Sequence, residues 1–104
     1  MSKKTRELNA SLSGGYTSEG LQKDGPQCTF EATFSGLTGS VSAKLEESID
    51  GNVYQEVPES ATTLTAGQTV QMWNDDMMPR GVMLRIVVGS GSGMITGIKL
   101  LSNG

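Results

Sequence analysis

The chain has 104 residues, one cysteine, no histidine and a formal net charge of −3. The lack of histidine excludes Ser-His-Asp and Cys-His catalysis, and a single thiol without histidine excludes the usual zinc ligand sets and any internal disulfide. The acidic balance argues against a nucleic-acid partner, and no apolar run is long enough to cross a membrane.

Residues 1–26 are polar and dotted with glycine, a composition that does not bury a core by itself. Leu8, Ala10 and Leu12 alternate with polar residues, which predicts one short extended segment, and Tyr16 follows it. A disordered terminus is the alternative. We therefore predict an extended or disordered N-terminal arm over residues 1–26, with Leu8, Leu12 and Tyr16 as candidate partner contacts, and a β-sandwich domain over residues 27–104.

Residues 27–57 show the two-residue period of half-buried strands. In the clearest run, four apolar residues alternate with threonine and glutamate: Cys28, Phe30, Ala32 and Phe34. Residues 41–45 resume this alternation after a glycine-containing turn. The stretch 50–52, Asp-Gly-Asn, predicts a hairpin because glycine and asparagine accept positive φ, and residues 53–57 form the expected return strand.

Four further strand patterns follow, at residues 62–64, 69–74, 82–88 and 94–101. The third is apolar except for Arg85, as expected for a central strand whose outer face is partly covered. The last alternates, and one of its faces is predicted to hold Ile95, Gly97, Lys99 and Leu101. These elements predict an all-β fold, a small antiparallel β-sandwich of six to eight strands, jelly-roll or immunoglobulin-like.

Two pairs of side chains are candidate binding residues. Met77 and Met78 lie in the loop before Pro79, where adjacent methionines offer adaptable apolar surface to a partner. The alternative is that this loop folds back over the core. Trp73 and Tyr54 are candidates for stacking against the sugar rings of a glycan, with packing in the core or in an interface as the alternative.

No catalytic, cofactor-binding or metal-binding site is predicted. A pair of carboxylates could serve glycoside hydrolysis, but a domain of this size has little room for a cleft that raises one carboxyl pKa. Asp50, Asn52, Asp75 and Asp76 do not have the spacing of a calcium-binding loop. These residues are instead expected to form turns or to face solvent.

Three stretches together carry a resemblance to a known class of protein: FSGLTGS at 34–40, LEESIDGNVYQEV at 45–57 and LRIV at 84–87, the last followed by Gly97 and Ile98. In this order they resemble small β-sandwich structural proteins of tailed bacteriophages. In that class a strand ending in S-x-D-G leads through an aromatic residue to a return strand, and an L-R-I/V strand precedes a glycine-marked final one. The resemblance spans about residues 30–101, and this chain has Tyr54 where the class often has tryptophan.

The resemblance implies a non-enzymatic virion protein, made in the host cytoplasm, that acts as a capsid decoration or auxiliary head protein. Its partners would be copies of itself and other virion structural proteins, either major capsid or tail proteins, without nucleic acid or membrane. The alternatives are a phage tail or fibre module, or a carbohydrate-binding β-sandwich. In the implied mechanism, residues 1–26 become ordered along a neighbouring subunit, so deletion of residues 2–24 would leave the fold intact and abolish incorporation into particles.

Overall fold

The computed structural model describes residues 2–25, 27–75 and 82–103. Within these ranges the chain forms ten β-strands, and no helix is present that could serve as a membrane span. The strands are β1 Ser2–Ser11, β2 Tyr16–Thr17, β3 Leu21–Gln22, β4 Gln27–Ser35, β5 Val41–Ser48, β6 Gln55–Glu56, β7 Thr62–Leu64, β8 Val70–Asp75, β9 Met83–Val88 and β10 Met94–Asn103. The predicted contact residues Met77 and Met78 lie outside the described residues.

The strands form two sheets in which every neighbouring pair is antiparallel. Sheet A has the order β1-β10-β4-β8, and sheet B has the order β2-β9-β5-β6, with β3 also paired to β9 and β7 to β5. The predicted all-β antiparallel sandwich is confirmed. Between Gln27 and Asn103 the described residues form seven strands, within the predicted six to eight, and three more precede Gln27.

One core lies between the sheets, and most of its residues come from the apolar positions of the alternating strand patterns. Strand β4 turns Cys28, Phe30, Ala32 and Phe34 inward, and all four are buried. Strand β9 is central in sheet B, as predicted, and contributes buried residues at every second position: Leu84, Ile86 and Val88. Burial of each large apolar side chain contributes about 1.5–3 kcal/mol to folding, and these positions therefore dominate the stability of the sandwich.

Strand β10 does not alternate strictly as predicted, because it contains a β-bulge. Ile95 pairs with Phe34 and Gly97 with Thr33, so Thr96 is an extra residue on β10. The bulge brings Ile95 onto the buried face together with Ile98 and leaves Gly97 on the outer face. Because Gly97 has no side chain, a shallow depression of about 210 Å³ opens beside it on the outside of sheet A.

The predicted boundary at residue 26 does not separate an arm from a domain. Strand β1 is extended, but it pairs with β10 from Ser2 opposite Ser102 to Ser11 opposite Met94. The chain then crosses to sheet B, where β2 and β3 pair with β9. Residues 2–25 therefore supply edge strands to both sheets and belong to the sandwich.

The crossing point is Leu12, whose side chain is fully buried. Its N–H donates to the carbonyl of Gly93 at 3.0 Å, and its carbonyl accepts from the N–H of Gly91 at 2.9 Å. Leu21 is also buried, against the same core. These two leucines anchor the segment. Residues 2–25 are therefore packed on the sandwich and are not the disordered terminus that the local composition suggested.

The polar appearance of β1 has a structural explanation. Lys4 and Arg6 lie opposite Leu100 and Ile98 and so share the inward face of β10. Their cationic groups are paired with acids of the following segment: Lys4 Nζ lies 2.7 Å from Asp24 Oδ2, and Arg6 bonds Glu19. The cations of β1 are thus ion-paired with acids of residues 19–24, although the Arg6–Glu19 pair stays largely exposed.

Candidate partner-binding surfaces

The most exposed large apolar side chains among the described residues lie at the turn between β5 and β6. Ile49 is 88% exposed and Val53 is 68% exposed. They flank the predicted hairpin turn, in which Gly51 has φ +80°. The return strand is shorter than predicted, since only Gln55–Glu56 pairs with β5. We call residues 49–53 the hairpin tip.

Side-chain hydrogen bonds hold the hairpin tip in one conformation. Asp50 Oδ1 accepts the N–H groups of Asn52 at 2.8 Å and Val53 at 3.1 Å. Ser48 donates its hydroxyl to the same carboxylate oxygen at 2.8 Å and accepts the N–H of Gly51, also at 2.8 Å. The backbone N–H donors, and then the Ser48 hydroxyl, lower the pKa of Asp50 from its ordinary value. The tip therefore presents its two apolar side chains on an ordered turn.

A second exposed apolar pair lies on β8, which is an outer strand of sheet A in the described part of the chain. Val70 is 42% exposed and Met72 is 51% exposed. They pair with Thr33 and Glu31 of β4 and share its outer face, whereas Trp73 lies opposite the buried Phe30. The sequence showed the alternation in β8, and the structure decides which of its two apolar faces is outside.

The side of β8 that faces away from β4, here called its free side, pairs with no strand in the described part of the chain, and glutamine side chains bond its backbone carbonyls. Gln68 Nε2 donates to the carbonyl of Val70 at 2.8 Å, and Gln71 Nε2 donates to the carbonyl of Met72 at 3.2 Å. The N–H of Phe34 on β4 donates to the carbonyl of Thr69 at 2.9 Å. Because bonding direction alternates along an antiparallel strand, Val70 and Met72 direct their backbone groups away from β4.

Tyr54, a candidate for glycan stacking, has one ring face occupied. The guanidinium carbon of Arg85 lies 3.8 Å from the ring centroid. Arg85 also bonds Glu46, and Lys44 lies within 3.4 Å of Glu56 and 3.6 Å of Glu46. These charges and the tyrosine cover the outer face of sheet B around the centre of β9.

Trp73, the other stacking candidate, is half-buried and packs against the core. Its ring meets Phe30 edge-to-face, with centroids 6.1 Å apart and an interplanar angle of 68°. Its Nε1 donates to the carbonyl of Ser60 at 2.7 Å. Trp73 thus closes the side of the core, while Tyr54 sits over sheet B, and the two aromatic rings have separate structural neighbours.

The partner contacts predicted in residues 1–26 are contacts within the molecule in this structure. Leu12 is fully buried, and Leu8 and Tyr16 are partly buried against the core. Burial raises the pKa of the Tyr16 phenol, with a further contribution from the negative charge of Glu19. These side chains therefore contact the sandwich itself, Leu12 completely and Leu8 and Tyr16 in part.

The apolar pairs at the hairpin tip and on β8 were not among the predicted site residues. A signal for the tip existed in the sequence, because a β-branched apolar residue flanks each side of the 50–52 turn. Lys23, whose side chain is fully buried, gave no such signal. Within residues 2–25, 27–75 and 82–103, no three acidic or cysteine side chains come together as a metal site.

Comparisons with known proteins show a weak likeness to a solved structure. No protein-family model matches the chain, and no curated protein matches it significantly. The crystal structure of PirA is similar to this chain at 7% sequence identity and a TM-score of 0.40, covering 97% of this chain and 84% of that chain. Likeness at this level carries no argument about function.

Proposed function

We propose that this protein is a non-enzymatic structural component of a bacteriophage virion, a capsid decoration or auxiliary head protein that attaches through surfaces formed in advance. The order of motifs at residues 34–40, 45–57 and 84–87 supports membership in that class. The hairpin tip supports an attachment role, because it exposes two large apolar side chains on a turn that hydrogen bonds hold in place.

The tip is suited to binding because its order exists before any partner arrives. Ordering a free segment costs about 1–2 kcal/mol of backbone entropy per residue, and a turn held by Ser48 and Asp50 avoids most of that cost. Ile49 and Val53 would each bury apolar area on docking, which is the main favourable term in association. Attachment through the tip replaces the earlier expectation that residues 1–26 become ordered on a neighbour.

The proposal is tested by incorporation into particles. Lysates of cells that produce the particles are sedimented through a density gradient, and an antibody to the chain locates it among heads, tails and the unassembled fraction. We expect the wild-type chain with the heads. Finding it with the tails would favour the tail or fibre module, and finding it only in the unassembled fraction would contradict a virion role.

Variants of the tip test the attachment surface. Ile49→Asp and Val53→Lys place charges where apolar contact is expected, and we predict about a tenfold or greater loss of incorporation, equivalent to 1.4 kcal/mol. Asn52→Lys is the matched control, because it adds a charge to an exposed polar position of the same turn. Incorporation of all three variants at the wild-type level would show that the tip is not the attachment surface.

The carbohydrate-binding alternative is supported less well by the geometry. Trp73 uses its indole N–H and one ring edge within the core, and Tyr54 has one face under Arg85. A glycan would have to stack on the remaining ring faces separately. Binding of the wild-type chain to immobilised glycans, abolished by Trp73→Ala or Tyr54→Ala in a folded variant, would favour this alternative over the virion role.

A further inference from the structure

We propose that β8 pairs with β8 of a second copy of this chain, antiparallel about a two-fold axis at Met72, so that two A sheets join into one continuous eight-stranded sheet. This inference is independent of the virion role, since it follows from the edge of sheet A alone. The partner is fixed by three properties of that edge: the direction of its backbone groups, its charge and its side-chain pattern.

The backbone of β8 has the geometry that strand addition requires. Val70 and Met72 direct their N–H and carbonyl groups to the free side, as does Asn74 by the same alternation. The amides of Gln68 and Gln71 now donate to two of these carbonyls from the position that a partner strand's N–H groups would take. Antiparallel pairing about Met72 would replace these side-chain donors and form about six backbone hydrogen bonds.

The low charge of the β8 edge allows a second copy to approach it. No acidic or basic residue occurs from Ser60 to Asn74, in a chain where 18% of residues are charged. Asp75, which ends β8, would lie opposite Thr69 of the second copy in this register, six residues along the strand from the second copy's own Asp75. Two identical edges can therefore meet without like-charge repulsion. The opposite edge of sheet A, β1, carries Lys3, Lys4, Arg6 and Glu7, and charged side chains of this kind, lysine above all, are what proteins use to prevent edge pairing.

The side-chain pattern is compatible with two-fold symmetry. With Met72 on the axis, it lies opposite Met72 of the partner, and Val70 lies opposite Asn74 on the outer face. Both exposed apolar residues of β8 then lie in the joint between the two sheets. A contact that uses the same patch on both copies closes on itself and does not propagate into fibres.

Disulfide trapping tests the register. Met72→Cys should form a disulfide-linked dimer under mild oxidation, because residues facing each other across two strands have Cα atoms about 5.5 Å apart, within the range for a disulfide. Val70→Cys is the matched control on the same face. Its two copies lie four residues apart along the paired strands, too far to bridge. The native Cys28 is buried in both variants and serves as a common background.

Equilibrium sedimentation measures the dimer directly. We expect concentration-dependent dimerisation of the wild-type chain and at least a tenfold higher dissociation constant for Met72→Lys, which places two ammonium groups opposite each other. Thr63→Lys adds the same charge at an exposed position of β7 and should dimerise like the wild type. Circular dichroism of each variant verifies folding. A wild-type chain that stays monomeric up to about 1 mM, where binding is worth only about 4 kcal/mol, overturns the proposal. The proposal is also overturned if the Met72→Lys variant still dimerises like the wild type, or if the Met72→Cys variant forms no disulfide-linked dimer.

Discussion

The guanidinium carbon of Arg85 lies over the Tyr54 ring, 3.8 Å from its centroid. The Nε and Nη2 of Arg85 also donate to Oε1 of Glu46 at 2.9 and 2.7 Å. One side chain thus combines a ring contact with two charge-assisted hydrogen bonds, and it ties the segment after the hairpin tip to the central strand β9. This position is more restrained than a typical surface ion pair.

Replacing this arginine should therefore destabilise the fold measurably. We predict that Arg85→Ala lowers the free energy of unfolding by about 1–2 kcal/mol, since it removes the ring contact and leaves Glu46 without its closest cation. Arg6→Ala is the control, because the Arg6–Glu19 pair is largely exposed and should cost about 0–1 kcal/mol. Urea unfolding followed by circular dichroism compares them, and equal losses would contradict a special role for the Tyr54 contact.

Trp73 should be needed for stability through its N–H as well as its size. Trp73→Phe keeps an aromatic ring against Phe30 but removes the donor to the Ser60 carbonyl, and we expect a loss of about 1–3 kcal/mol. Met72→Leu, a volume-conserving change at an exposed neighbouring position, should stay within about 0.5 kcal/mol of the wild type. The readout is denaturant unfolding by circular dichroism, because the chain contains one tryptophan and its fluorescence is lost in the variant. An unchanged midpoint for Trp73→Phe would show that this hydrogen bond contributes no net stability.

The N-terminal strands should be necessary for folding. Leu12→Ala empties a fully buried site and should cost about 2–5 kcal/mol, whereas Ser13→Ala at the next, exposed position should be nearly neutral. Deletion of residues 2–24 removes β1, β2 and β3 together and uncovers one side of both β10 and β9. We expect that truncated chain to be unfolded or aggregated in size-exclusion chromatography. A compact, cooperatively melting truncated chain would restore the view that this segment is a dispensable arm.

The hairpin tip should confer a pH dependence on stability. The pKa of Asp50 lies below its ordinary value of 3.8, because backbone N–H groups of Asn52 and Val53 stabilise the charged carboxylate. The folded state then binds this proton less readily than the unfolded state. The resulting stabilisation is present above pH 3.8 and is lost as pH falls below that value through the lower pKa of the folded state.

Asp50→Asn removes this dependence. Melting temperatures measured from pH 7 down to the acid transition should show the wild type above the variant at neutral pH, with the difference shrinking below about pH 4. Asn52→Ala, which leaves the Asp50 carboxylate and its backbone donors in place, should keep the wild-type pH profile. A difference between wild type and Asp50→Asn that stays constant across this range would show that the carboxylate charge does not stabilise the turn.

Local pattern predicted a large part of the fold. The two-residue period at Cys28–Phe34 predicted a strand, and Gly51 predicted a turn. Both predictions depend only on the local backbone, and both are correct. The bulge at Thr96 was not predictable, because it is defined by pairing with Thr33 and Phe34, more than 60 residues earlier. The exposed pair on β8 was equally hidden, since Val70 and Met72 on one face and Trp73 on the other are all apolar.

The sequence by itself therefore determined an all-β chain, its main strands from β4 onward and the hairpin turn, because hydrophobic alternation and turn chemistry act over a few residues. Only the tertiary structure decided the place of residues 2–25. Their few leucines and many charges are typical of a solvated terminus. In the structure, β9 and β10 supply their backbone partners, and the core receives Leu12 and Leu21. Asp24 and Glu19 neutralise Lys4 and Arg6. A periodic hydrophobic pattern cannot indicate these partners, because they are distant in sequence or charged.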